Sequence, residues 1–326
     1  MTGVDQLALN LGVNRYTVEA ALLELEREGL LIGQGPRRRR LVVRPDGMSD
    51  RQLRVGILLY EKKDDQRKYI IKLPDALTNA GHTVVATTKT LIELKMDATR
   101  VSRFVKQTAA DAWLVMGGSH EVLEWFSTQS VPVFALFGRR EGLPIAAYGP
   151  DYRVAQMAAT RHLVKLGHRR IVMLSRRERR QPKPGLPESA FLNELQNLGI
   201  KAGDYNLPEW EETRLGLQQL LNSLFRVTPP TAFIIDEPDV LIATYQFLAE
   251  KGFRVPQQVS IVSTENHTQF SWCGTPFAHY EWDESRVVSR IIRWAVAVSR
   301  GRRDIKQTLV PTKFIASNSI GPAPPQ

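Results

Sequence analysis

The chain holds one cysteine, Cys273. A single thiol cannot close a disulfide within the chain or complete a cysteine-cluster zinc site, so a stapled mini-protein and a zinc finger are excluded. No uninterrupted apolar stretch approaches the roughly 18–20 residues that a membrane helix needs. The opening MTGVDQLALN lacks the basic start and apolar run of a secretory signal. Catalytic signatures are missing too: there is no HExxH, GxSxG, phosphate-binding loop or GxGxxG. Six histidines (His82, His120, His162, His168, His267, His279) are scattered. His162 and His168 are too far apart for a one-turn metal pair, and His168 in the GHRR element reads as structural. Asn266-His267-Thr268 matches a glycosylation acceptor, which is irrelevant in a cytoplasm. The expectation is a cytoplasmic, non-membrane protein with no catalytic residues, metal or cofactor.

What is present is ordinary in bulk and uneven in detail. The 326 residues are 43% apolar and 24% charged, a globular composition of about two domains at roughly 150 residues each. Forty-four Lys and Arg against 34 Asp and Glu leave a net charge of +10, which favours a polyanionic partner or an acidic ligand. Residues 161–183 hold nine Lys and Arg against Glu178 alone, so eight of the ten surplus charges sit there. Arg37 to Arg40 form a second knot. A solvated loop or helix face is the plain alternative for both.

Residues 4–11 read as a short helix with Leu7, Ala8 and Leu11 on one side, broken by Gly12. Asn14 stands where an N-cap belongs. Val18, Leu22 and Leu25 stripe a second helix that ends at Gly29. Leu30-Leu31-Ile32, a Gly-rich turn and Arg38 to Val43 then read as a hairpin. Helix, turn, helix, hairpin is a partial winged helix-turn-helix. LALNLGVNRYTVEAALLELEREGLL and its basic hairpin resemble the winged helix of GntR-type transcription regulators. The resemblance implies that Asn14, Arg15, Tyr16 and Thr17 open the recognition helix in the major groove of double-stranded operator DNA. Arg37, Arg38, Arg39 and Arg40 would form the wing on the phosphates. Two departures stand against it: the chain begins too late for the family's preceding helix, and Glu19 occupies a position that is usually basic. The alternative expectation is a ligand-binding sensor that has lost DNA binding.

Beyond a polar linker the chain alternates strand and helix, including a short strand near Tyr205, which predicts βαβ units on parallel sheets in two α/β lobes. The expected layout is a winged helix over 1–44, a linker over 45–52, an effector domain over 53–320 and a tail over 321–326. Lobe 1 would take 53–149 and 276–306, and lobe 2 150–275 and 307–320. YGPDYRVAQMAATRHLVKLGHRRIVMLS and KGFRVPQQVSIVSTEN are similar to the second lobe of LacI/GalR-type repressors. The resemblance implies a two-lobed, type I periplasmic-binding-protein-like fold, a homodimer, and a small sugar-like effector in the cleft.

Ligands of open α/β sheets bind beyond the carboxyl ends of strands. Those ends carry Tyr60, Ser119, Arg139, Arg176, Asp236 and Glu265. By the resemblance, Trp210 would stack on a sugar, while the family's usual arginine clamp before Phe191 is absent. Arg176-Arg177-Glu178-Arg179-Arg180 would border the cleft, and guanidinium forks match carboxylates and phosphates. That predicts an anionic effector held by this loop.

Overall fold

The computed structural model describes residues 4–27, 31–32, 41–42, 51–267, 270 and 272–325. It divides into two compact units, residues 1–51 with 299–302, and residues 52–298 with 303–326.

In the first unit α1 (Val4–Leu11) stops at Gly12, whose φ of 65° is left-handed and suits glycine. Asn14 Oδ1 accepts from the Tyr16 N–H at 3.0 Å and so caps α2 (Arg15–Arg27). Val18, Leu22 and Leu31 form a small core against Val4, Leu7 and Ala8. Leu11 and Leu25, expected on the apolar faces, lie exposed instead. β1 (Leu31–Ile32) pairs antiparallel with β2 (Leu41–Val42). Arg37 to Arg40 lie outside the described residues.

The second unit is doubly wound twice. Its first lobe contains β3 (Arg54–Leu58), a 3₁₀ turn (Lys62–Gln66), α3 (Lys68–Asn79) and β4 (Thr83–Val85). It continues through α4 (Ala98–Gln107), β5 (Ala112–Met116), α5 (His120–Ser127), β6 (Val133–Leu136) and β7 (Ala146–Asp151). The second lobe contains α6 (Tyr152–Lys165), β8 (Ile171–Leu174), α7 (Arg177–Arg180), α8 (Leu186–Asn197) and α9 (Arg214–Val227). β9 (Ala232–Ile235), α10 (Pro238–Glu250), β10 (Ser260–Ser263) and β11 (Ala278–Trp282) follow. α11 (Val287–Ser299) and β12 (Gln307–Ile315) complete the element order.

The strands form one ten-stranded sheet in the order β4-β3-β5-β6-β7-β12-β11-β10-β9-β8. The residues alternate faces with a period of two. Leu114 and Met116 pack under α3 and α11, while Trp113 and Val115 pack under α4 and α5. Met173 and Ile234 meet α6 and α8, while Val172 and Phe233 meet α9 and α10. β12 joins the lobes. Gln307 to Pro311 run parallel to β7, and Thr312 to Ile315 run antiparallel to β11. Pro150 and Pro311 stand at the switch, where each removes a ladder donor. Thr312 Oγ1 donates to the Asp151 carbonyl at 2.6 Å and bridges the junction.

Two expectations fail locally. The strand predicted near Tyr205 is a run of turns, because Asn206 bonds the neighbouring backbone itself. Its side chain accepts from Gly203 N–H at 3.1 Å and donates to the Ile171 carbonyl at 2.9 Å. The segment 176–180, expected as a loop, contains the short helix α7.

His168 is fully buried between Thr231, Ser260 and the Gly321 carbonyl, at 3.0 to 3.1 Å. It ties the C-terminal segment to the second lobe. Burial lowers its pKa from the ordinary 6.5. The unfolded chain therefore binds more protons in this range, and stability rises with pH. The contribution of His168 is complete above about 6.5 and is lost as the pH falls through the depressed folded value. Urea unfolding across pH 5–8 should show that dependence in the natural chain and less of it in His168→Gln; equal slopes would reject the assignment. Gly56 gives a second check. A Cβ there would sit 2.8 Å from the Trp113 ring. Gly56→Ala should cost about 1–3 kcal/mol by overpacking, read from the urea midpoint, whereas an unchanged midpoint would show that the buried ring can yield.

Candidate functional site

The carboxyl ends of strands from both lobes converge on one enclosed cleft of about 160 Å³. Tyr60 follows β3, Gly117 and Gly118 follow β5, and Phe137 to Arg140 follow β6. Arg176 follows β8, Asp236 and Glu237 follow β9, and Glu265 follows β10. The turn after β6 is tight. Phe137 and Gly138 both have positive φ, and a Cβ on Gly138 would meet the Gly118 carbonyl oxygen at 2.6 Å. Only glycine permits that approach, which places the Arg139–Arg140 pair at the cleft.

Charged groups fill the cleft as pairs. The Arg176 guanidinium lies 3.8 Å from the Tyr60 ring centroid and pairs with Glu237 and, at 3.5 Å, with Glu61. Arg179 holds Glu188 at 2.8 Å and also Asp236. Thr264 Oγ1 donates to Asp236 Oδ1 at 2.9 Å, and Ser175 Oγ donates to Glu188 Oε1 at 2.7 Å. Arg67 reaches Glu265 at 3.1 Å and Asp64 at 3.0 Å, while the Tyr152 hydroxyl donates to Glu265 Oε1 at 3.0 Å. Burial alone would raise the Glu265 pKa, but Arg67, His267 and Tyr152 hold it well below the usual carboxylate range. Burial pushes the Tyr60 phenol up.

Many of these bonds cross between lobes. From the first lobe, Lys63 reaches Asp239 at 2.7 Å, Arg67 reaches Glu265, and the Tyr60 hydroxyl donates to Glu178 at 3.4 Å. Arg139 donates to the Gln181, Lys183 and Glu178 carbonyls at 2.7, 3.0 and 3.3 Å. The structure is thus the closed arrangement of the lobes, latched by ion pairs and guanidinium–carbonyl bonds.

Of the residues expected at the effector site, the structure brings Tyr60, Arg139, Arg176, Asp236 and Glu265 to this cleft. Two lie elsewhere. Ser119 caps α5, its hydroxyl accepting from Val122 N–H at 3.3 Å. Trp210 packs on the α9–α10 core and borders a separate pocket, with a buried indole N–H that has no partner among the described residues. Arg67, Arg140, Tyr152 and Glu188 line the cleft although the sequence did not point to them as site residues, and Arg179 lies there within the segment expected to border it. The strand-end rule could have flagged Arg140; the others sit on helices and turns. Among the described residues no cluster of three or more His, Cys, Asp or Glu could hold a metal ion, and no helix is long and apolar enough to cross a membrane.

Arg179→Ala should be costly. It leaves Glu188 and Asp236, 0% and 7% exposed, as buried like charges without a cation. Breaking such a pair costs about 3–5 kcal/mol, read as a fall in unfolding free energy at neutral pH. A loss no larger than that of an exposed arginine would show that these groups are not coupled.

Comparisons with known proteins bear on the second unit. Residues 160–320 match the family model described as a periplasmic binding protein-like domain. No curated protein matches the chain. Among solved structures, a LacI family transcriptional regulator from Enterococcus faecium with bound ribose superposes with a TM-score of 0.62, at 16% identity, over 82% of this chain and 98% of that one. The lac repressor dimer bound to operator and the anti-inducer ONPF gives 0.64 at 16% identity, over 83% and 95%. A complex of the transcriptional regulator CelR with cellobiose gives 0.65 at 18% identity, over 98% and 100%. The two-lobed unit is therefore a periplasmic-binding-protein-like α/β domain with the fold of LacI-type effector domains.

Proposed function

We propose that this chain is a one-component transcription regulator of the cytoplasm, whose affinity for double-stranded operator DNA is set by a small carbohydrate-like effector held between the two lobes. The carrying observation is that one chain contains both a capped helix-turn-helix with a short β-pair and a two-lobed cleft closed by inter-lobe ion pairs. Solved proteins of this fold include one described with bound ribose and another bound to operator as a dimer, which supports the reading. The first unit acts as a GntR-like winged helix: Asn14, Arg15, Tyr16 and Thr17 meet the bases, and Arg37 to Arg40 meet phosphates. The effector-binding set is Tyr60, Arg139, Arg176, Asp236 and Glu265. An effector that contacts both lobes favours closure, and in a homodimer closure changes the operator affinity of the two DNA-binding units.

One observation favours the second reading, a sensor without DNA binding. Arg15, at the start of α2, is engaged by Asp5 at 3.3 Å and Glu19 at 3.0 Å. Both partners are carboxylates of the same unit, so they compete with DNA phosphate for this guanidinium.

The deciding experiment is a salt-series gel shift of the whole chain on the DNA upstream of its own gene. Binding should weaken steeply with salt, and Arg38→Ala with Arg39→Ala should lower the log–log slope by roughly 2, about one per lost phosphate contact. An unchanged slope rejects the wing assignment. No binding at any salt rejects the regulator reading in favour of the sensor.

A further inference from the structure

Among the described residues, one guanidinium without an ion pair and two carboxylate oxygens without a hydrogen bond are buried in the cleft. Arg140 is 7% exposed and lines the first-lobe side. No carboxylate among the described residues stands within ion-pair distance of it. The one hydrogen bond its guanidinium makes among them runs from Nη1 to the Gly138 carbonyl at 3.4 Å. Its acidic neighbours do not neutralise it: Glu141 is exposed, and Asp151 is held by both nitrogens of the Arg153 fork, at 2.8 and 2.6 Å. Burial lowers the pKa of Arg140, and the through-space pull of Glu141 and Asp151 does not offset it. On the second lobe, Asp236 Oδ2 and Glu188 Oε2 are buried without a hydrogen-bond partner among the described residues.

We propose that the effector is a small hydroxy-carboxylate, a sugar acid rather than a neutral sugar, with its carboxylate on Arg140 and its hydroxyls donating to Asp236 and Glu188. The assignment rests on the carbohydrate-effector reading and narrows it. A buried guanidinium without a counter-ion is costly in the empty protein, and a planar carboxylate matches its fork. One free cation balances one negative charge. The lining otherwise carries five arginines against eight acidic side chains, so a phosphate dianion would add repulsion where a monoanion does not. The two free carboxylate oxygens accept only, which requires donors on the ligand. A molecule spanning Arg140 and Asp236 touches both lobes, and so its binding favours closure.

The arginine-rich segment lines the cleft but supplies no free cation for the carboxylate. Arg176 is committed to Glu237 and Glu61, Arg179 to Asp236 and Glu188, and Arg180 to Glu209 and Glu212. Arg177 bonds Gln181 at 3.0 Å.

The test is calorimetry and thermal shift on the full chain with D-glucose, D-gluconate, D-glucuronate and D-glucose 6-phosphate, and with D-galactose, D-galactonate and D-galacturonate. At least one of the sugar acids should bind on the order of 30-fold or more tighter than its neutral parent, and tighter than the phosphate ester. Arg140→Gln should weaken that acid on the order of 100-fold, leave neutral sugars unchanged, and raise the unliganded melting temperature by removing a buried unpaired charge. A merely structural arginine would lower that temperature. Neutral sugars binding as tightly as acids, or the preference persisting in Arg140→Gln, overturns the sugar-acid assignment and leaves the carbohydrate reading standing. Binding of none of the seven compounds overturns both.

Discussion

Removing a carboxylate or guanidinium from water costs several kcal/mol unless an opposite charge stands beside it, and the cleft gathers eight of the first and six of the second. The arrangement around it follows from that requirement. Arg179 is shared by Glu188 and Asp236, Arg176 by Glu237 and Glu61, and Arg67 by Glu265 and Asp64. Arg67–Glu265, Arg176–Glu61 and the Lys63 pairs have one member on each lobe, so closing the lobes completes part of the neutralisation. An ion pair that spans a hinge is broken by opening, and its members then regain water. The free-energy difference between open and closed is therefore small compared with either term alone, which lets a modest ligand shift it.

The sheet supplies the complementary constraint. β12 is hydrogen-bonded to β7 in its first half and to β11 in its second, so the lobes share a strand. Pro150 and Pro311 weaken the ladder where the partner changes, and Thr312 supplies a side-chain bond to the Asp151 carbonyl in its place. The result joins a stiff sheet within each lobe to a thinner junction between them, the pattern of a hinge rather than of two independent domains.

Much of the fold was legible because strands buried on both faces write continuous apolar runs. LRVGILLY, AWLVMG, TAFIID and VSIVST each mark a strand whose alternate residues feed opposite helix layers. β7 was not legible: AAYGPD contains Gly and Pro, which interrupt a strand pattern. The strand expected at Tyr205 failed because Asn206 satisfies the neighbouring backbone with its own side chain. The cleft was partly legible for a topological reason, since strand ends are identifiable wherever strands are. Arg67, Tyr152 and Glu188 were not, because they reach the cleft from a 3₁₀ turn and from helices, whose phase relative to a distant strand end is set only by packing.

The location of charge shows the same limit more sharply. The densest basic run, 161–183, pointed to its own arginines as the place for an anion. In the structure those at 176, 179 and 180 are neutralised by Glu61, Glu188, Glu209, Glu212, Asp236 and Glu237, contributed from segments up to 115 residues away. Composition counts charges; only the fold shows which are already paired. Arg140 stands beside Glu141 in sequence and would be read as half of a solvated pair. Yet Glu141 faces solvent while Arg140 is buried, and the next acid, Asp151, is taken by Arg153. What makes a residue available to a ligand is the absence of a competing partner at its buried position, and neither charge density nor residue type reports that quantity.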